Sequence, residues 1–167
     1  MTTLEKSSWR NRIAKLFILA LCIIEPHCEM HIADLTEDDP LRITIHQGVA
    51  GRVWFQTGDL FWGGPLRSTP VKREVLVHTL TRSDSVLPPR AADFFTQILT
   101  SFAGKSSSND SGFYQISLPP GHYSVFVRED TLLYAGSCDG QGYFQPVLVK
   151  PDSVSWLDIK IHYQVLY

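Results

Sequence analysis

Cysteine is scarce in this chain, with three among 167 residues, and there are only two methionines. Cys22, Cys28 and Cys138 build no disulfide framework. At most Cys28 and Cys138 pair in an oxidising compartment; otherwise Cys138 is expected to pack as a small hydrophobe. Charge of one sign is also missing. Fifteen Lys and Arg against seventeen Asp and Glu leave a formal net charge of -2, and no basic stripe gathers the cations that phosphate binding needs, which argues against nucleic-acid partners. No G-x-S-x-G occurs, so a nucleophile elbow has no foothold. The charge-free run "LFILALCII" (16–24) falls well short of the about 20 apolar residues that cross a bilayer.

That run matters for another reason. Lys6, Arg10, Arg12 and Lys15 precede it, and a basic stretch before a short apolar one is the pattern of an export signal. Residues 1–28 are therefore expected to be a signal peptide or a membrane anchor. Ala20-Leu21-Cys22 has the spacing a signal peptidase reads, and Cys28 is a candidate for lipidation, although the "EPH" before it is a poor lipobox. Export predicts a periplasmic, outer-membrane or extracellular location. Residues 29–43 carry Asp34, Glu37, Asp38, Asp39 and Pro40 and suit an acidic linker or arm. Residues 44–167 form the domain.

Within that domain the apolar period is two. "VKREVLVHTLT" sets Val71, Arg73, Val75 and Val77 against Lys72, Glu74, Leu76 and His78; "GFYQISL", "HYSVFV" and the 157–163 stretch repeat the alternation. Such runs predict an all-β protein of antiparallel sheets with one wet face. Two glycines in "RITIHQGVAGRVWF" predict a bent or bulged strand. In the long insertion 82–112 the middle reads as a short helix over 91–99 or an edge strand over 97–103, with strand favoured at 98–102, and "KSSSNDSG" reads as turn. His46, His78, His122 and His162 are scattered and read as wet-face or turn residues.

"SLPPGHY" predicts a hairpin end. Pro119 and Pro120 cannot donate ladder hydrogen bonds, Gly121 suits the positive φ of a type II turn, and Tyr123 points inward with its hydroxyl seeking a backbone partner. The "GDLFWGGPLRSTP" segment (58–70) reads as a loop bearing Phe61 and Trp62, with Trp54 beside it. Those aromatics either cover a sheet end or, exposed together, form an interaction patch for protein or glycan.

"GFYQISLPPGHYSVFV" resembles the G-x-[FY]-x-[FI]-x-L-P-P-G-x-Y-x-V-x-V signature of carboxypeptidase regulatory-like domains. "GVAGRVWF", "PVKREVLVHTL", "DGQGYFQPVLV" and "SWLDIKIHY" are similar to their other strands, so the resemblance spans roughly residues 47–163. It implies a transthyretin-like, seven-strand Greek-key β-sandwich. It also implies a non-catalytic structural or interaction module of an exported, often lipid-anchored protein of Bacteroidetes-type bacteria. Its partner would be an envelope protein or glycan, with membrane attachment through the N-terminus and no cofactor. A carbohydrate-binding module is one alternative. A metal-dependent enzyme on the same prealbumin-like sandwich is another.

The enzyme alternative finds little chemistry. Intradiol dioxygenases hold iron with two tyrosines and two histidines; Tyr123 would match one tyrosine, but no His-x-His follows it. Transthyretin-like hydrolases end in Tyr-Arg-Gly-Ser, whereas this chain ends "HYQVLY". His27, Cys28, Glu29 and His31 offer metal-ligating groups without a second half. "DGQGYF" (139–144) reads as a glycine turn in preference to a calcium loop, since it supplies one carboxylate.

Overall fold

The computed structural model describes residues 40–87 and 93–166. The chain divides between Glu37 and Asp38 into two units, and every described residue lies in the second. The stretch expected to direct export, Cys28 and the His27–His31 group fall outside the described residues.

The described chain is all-β, with eleven strands and one 3-10 turn at Ser83–Ser85. One sheet has five strands: β1 (Gly48–Asp59), β2 (Arg67–Pro70), β6 (Phe113–Ser117), β10 (Val154–Trp156) and β11 (Ile159–Leu166). The other has six: β3 (Glu74–Thr79), β4 (Phe94–Phe95), β5 (Phe102–Ser107), β7 (Gly121–Glu129), β8 (Leu132–Tyr134) and β9 (Pro146–Val149). Alternate residues of both sheets meet in one core, where Val49, Val53, Tyr114, Ile116, Ile159 and Ile161 face Val75, Val77, Val125, Val127, Val147 and Val149. This is a β-sandwich arrangement.

β1 is the spine of its sheet. Its first half lies between β6, antiparallel, and β10, parallel; its second half lies between β2, antiparallel, and β11, parallel. The all-antiparallel expectation is thus corrected for this sheet. Period-two alternation reports which face a residue occupies and carries no strand direction.

The glycines of β1 are close-approach slots, not a bulge. Tyr114, opposite Gly51, reaches across the bare glycine to donate its hydroxyl to Leu157 O at 2.8 Å. A Cβ on Gly51 would collide with that same Leu157 carbonyl. Gly48 has φ of 142°, and a Cβ there would strike the Ile116 carbonyl. The register irregularity falls later, between Phe55 and Thr57 on the β11 side. Burial pushes the Tyr114 phenol well above its ordinary range, with the Asp158 charge adding to the effect.

"SLPPGHY" does not close a hairpin. β6 pairs with β1 and β7 with β3, so Pro119 and Pro120 carry the chain from one sheet to the other. Two residues without N–H groups suit a crossing where neither ladder continues. Tyr123 is buried and donates its hydroxyl to Pro119 O at 3.0 Å, the backbone lock expected of it. Gly121 does not take a positive φ. A Cβ there would sit 3.2 Å from the Tyr123 hydroxyl oxygen, so glycine clears space for the folded-back ring.

The second sheet has no wet face at its centre. Leu76 and Phe126, on the side away from the main core, pack with Phe95, Ile98, Leu133 and Ala135 and against Val86 and Phe144. The insertion supplies much of that cover through Val86, Phe95 of β4 and Ile98. β5 begins at Phe102 rather than at residue 98, and Lys105–Ser107 of the expected turn are strand. His78 is buried, not wet: its Nδ1–H donates to Thr100 O at 3.0 Å, and its ring meets Phe102 and Phe126 edge-on.

A buried charge ties the two sheets together. Glu129 at the end of β7 is 9% exposed, forms an ion pair with Arg73 and accepts the Tyr163 hydroxyl from β11 at 2.9 Å. Burial, then that hydrogen bond to a carboxylate, pushes the Tyr163 phenol up to about 12 from 10.0. The folded chain therefore keeps a proton that the unfolded chain has already lost. The contribution is full below about pH 10 and disappears as pH climbs towards 12. Tyr163→Phe is expected to flatten the alkaline fall of the urea midpoint over that window. Tyr114 leaves part of the fall in place, and an unchanged slope would remove Tyr163 from the account.

Candidate functional site

Two surfaces present chemistry. The first is the loop between β1 and β2, residues 60–66. Asp59 organises it: its Oδ1 accepts Trp62 N at 3.1 Å and its carbonyl accepts Gly64 N at 2.7 Å. Gly63 takes a φ of 73° to complete the turn, and Leu60 N donates to Leu166 O at 2.8 Å, fastening the loop to β11. Phe61 and Trp62 pack edge-on, ring centroids 5.1 Å apart, and are 68% and 82% exposed. They cover no sheet end. Leu60, Leu66 and Leu166 beside them are exposed as well.

Trp54 does not join them. It lies about 20 Å back along the strand from Leu60 at the usual rise per residue, on the outer face of the five-stranded sheet. Its ring there carries the Arg52 guanidinium 4.2 Å from the centroid. The aromatic group expected from sequence thus divides into a loop pair and a sheet-face residue.

The second surface is that outer face. Ile159 and Ile161 point into the core, so Trp156, Asp158 and Lys160 alternate outwards. Trp54 sits beside Lys160 in register, and Ala50 beside Trp156. Asp158 Oδ1 accepts the Arg52 backbone N–H and the Trp156 indole N–H, both at 3.0 Å. Past β11 the sheet edge opens into a cleft of about 300 Å³ lined by Gly136, Ser137, Gln145, Asp158, Lys160 and His162.

The cleft walls are fixed. The His162 Nε2–H donates to Gly136 O at 2.8 Å. A side chain on Gly136 would run into the Tyr134 hydroxyl and His162 Nε2. Gln145 holds a φ of 34°, in the left-handed region that non-glycine residues avoid. It is 5% exposed, and its Nε2 is buried without a partner. The chain matches no family model, and no significant match exists among curated proteins or solved structures.

Cys138 is an exposed free thiol, contrary to the packed position expected of it; it sits beyond the buried Ala135 in the loop that leads to β9. In that loop Asp139 Oδ1 accepts the N–H groups of Gln141 and Tyr143 at 2.9 and 2.8 Å, making a side-chain-closed turn. Among the described residues no group of three or more His, Cys, Asp and Glu is arranged to hold a metal ion. Asp158, Lys160 and His162 were visible in sequence only as the polar half of an alternating strand. Trp156 at the head of that row was the one available signal that its face differs from an ordinary wet one.

Proposed function

We propose that this protein is a non-catalytic, exported β-sandwich that works by surface contact at a bacterial cell envelope, built as a carboxypeptidase regulatory-like domain. The observation that carries the contact reading is the Phe61–Trp62 pair, held by Asp59 on a hydrogen-bonded loop with most of both rings in solvent. Aromatic side chains placed that way carry a large share of the energy of protein contacts once buried by a partner. What supports the sandwich part of that reading is the coarser architecture, two β-sheets that bury one shared core.

The test is co-sedimentation of the full chain with purified outer-membrane and peptidoglycan fractions. The wild-type protein is expected in the pellet. A Phe61→Ala/Trp62→Ala variant should lose roughly tenfold or more of that binding with an unchanged circular-dichroism melt. A wild-type protein that stays in the supernatant, or a variant that pellets equally, would overturn the reading. Intact mass of the cell-derived protein checks the export part in the same preparation: a full-length, unmodified N-terminus would count against it.

A further inference from the structure

The loop between β1 and β2 spends its own backbone. Leu60 N donates to Leu166 O, Trp62 N to Asp59 Oδ1, Gly63 N to Leu60 O and Gly64 N to Asp59 O. Pro65 has no N–H, so over residues 60–65 only the Phe61 N–H is left open among the described residues. Residues 60–66, LFWGGPL, carry no charge, and the Trp62 indole N–H is their one polar side-chain group. Leu60, Phe61, Trp62 and Leu66 are exposed, and Leu166, paired with Asp59 at the end of β11, extends the same apolar tip.

That combination selects among the surfaces the tip could meet. A protein interface carries about one hydrogen bond per 100–200 Å², and a sugar asks for several donors and acceptors at once. The tip has almost none to give. Lipid demands the reverse, since backbone groups that enter it must be satisfied from within the protein. Tryptophan settles at the headgroup level, with phenylalanine and leucine reaching below it. Rings that stand out into solvent need a matching pocket on a protein partner and none in a fluid bilayer.

The base of the tip fits the same surface. Arg67 follows Leu66, is exposed and forms no ion pair among the described residues, so its guanidinium is free for lipid phosphate. The nearest acid in sequence, Asp59, has one carboxylate oxygen engaged by Trp62 N. Followed backwards from β1, residues 47 to 40 run beside β6. Gln47 Nε2 donates to Leu118 O, Thr44 N to Gln115 Oε1, and Asn109 Nδ2 to Pro40 O. That path leads towards the end of β1 that carries the loop. The point where the N-terminal stretch joins the domain is thus shifted to the loop's side.

We propose that loop 60–66 inserts into the headgroup boundary of a phospholipid bilayer, with Phe61 and Trp62 submerged and Arg67 on the phosphates. This names the partner of the surface contact proposed above, and it rests on that reading.

Protein-free vesicles of equal parts phosphatidylcholine and phosphatidylglycerol test it with the full chain. Wild-type protein is expected to float with them, and Phe61→Ala/Trp62→Ala should weaken that binding roughly tenfold or more. Arg67→Gln should weaken it about fivefold on the mixed vesicles and not on phosphatidylcholine alone. Lipids brominated on their acyl chains should quench the wild-type protein's fluorescence, and Trp62→Phe should lose that quenching while still floating. Where the N-terminal residues alone float every variant, the quenching decides. Quenching that Trp62→Phe leaves intact, or an Arg67→Gln loss independent of lipid charge, would overturn the proposal. The contact reading survives such a failure if envelope fractions still pellet the wild type and not the double alanine variant, which would assign the rings to a protein or glycan. A dimer in sedimentation velocity that the double variant dissolves would assign them to a second copy instead.

Discussion

Gly51→Ala is expected to cost at least about 4 kcal/mol, placing it among the largest effects a single substitution produces. One methyl group is all that changes, yet it enters the space of the Leu157 carbonyl oxygen. Relief requires β10–β11 to move away from β1. That movement breaks the Tyr114 hydroxyl bond to Leu157 O and the Leu157 N bond to Ala50 O, each 2.8 Å long. Tyr114 is almost wholly buried, so its hydroxyl would then be left without a partner in the core, a further penalty of about 1–3 kcal/mol. Urea unfolding followed by circular dichroism measures the loss. A midpoint within error of wild type would mean that Gly51 is not the slot described.

Arg73→Met should follow closely, destabilising the protein by about 3–5 kcal/mol because it strands the Glu129 charge inside the sandwich. Tyr163 would remain as a donor to that carboxylate, and one neutral hydroxyl does not replace a guanidinium. The double variant Arg73→Met/Glu129→Leu removes the stranded charge as well. It is expected to regain much of the loss, since apolar replacement of a buried ion pair is often close to neutral. Denaturant midpoints of the two single variants and the double complete the cycle. Strictly additive losses would show that the pair is not coupled.

The part of this fold legible in sequence is the part decided by alternation. Val75 and Val77, Tyr114 and Ile116, Val125 and Val127, and Ile159 and Ile161 all lie in the shared core, where a period of two places them. Alternation names a face and is silent about neighbours. Hence β6 and β7, adjacent in sequence and joined by a turn-like Pro-Pro-Gly, read as a hairpin although they belong to different sheets. Leu76 and Phe126 read as the wet side because the covering segment is distant in sequence and irregular. Tyr123 was legible because a tyrosine beside a corner finds its partner locally, four residues back.

The candidate sites divide along the same line. Phe61 and Trp62 stood out because aromatics in a glycine-rich loop are unusual, and their neighbourhood is local. The cleft joins Gly136, Ser137 and Gln145 to Asp158, Lys160 and His162, and only the pairing of β1 with β11 and the path of the β8–β9 connection bring those groups together. Composition and spacing hold no record of it.

The position of β1 as spine also sets the order in which the molecule can assemble. Gly48 pairs with Val154 and Asp59 with Leu166, so the earliest strand waits for the latest. Closing a loop of roughly a hundred residues demands entropy before any contact rewards it, which makes such topologies slow to fold. During synthesis β1 can rest only on β2 and β6, and its parallel side stays an open ladder until the last strand arrives. The nascent domain is consequently held from its native state until nearly all of it has been made, so its synthesis and its folding end almost together.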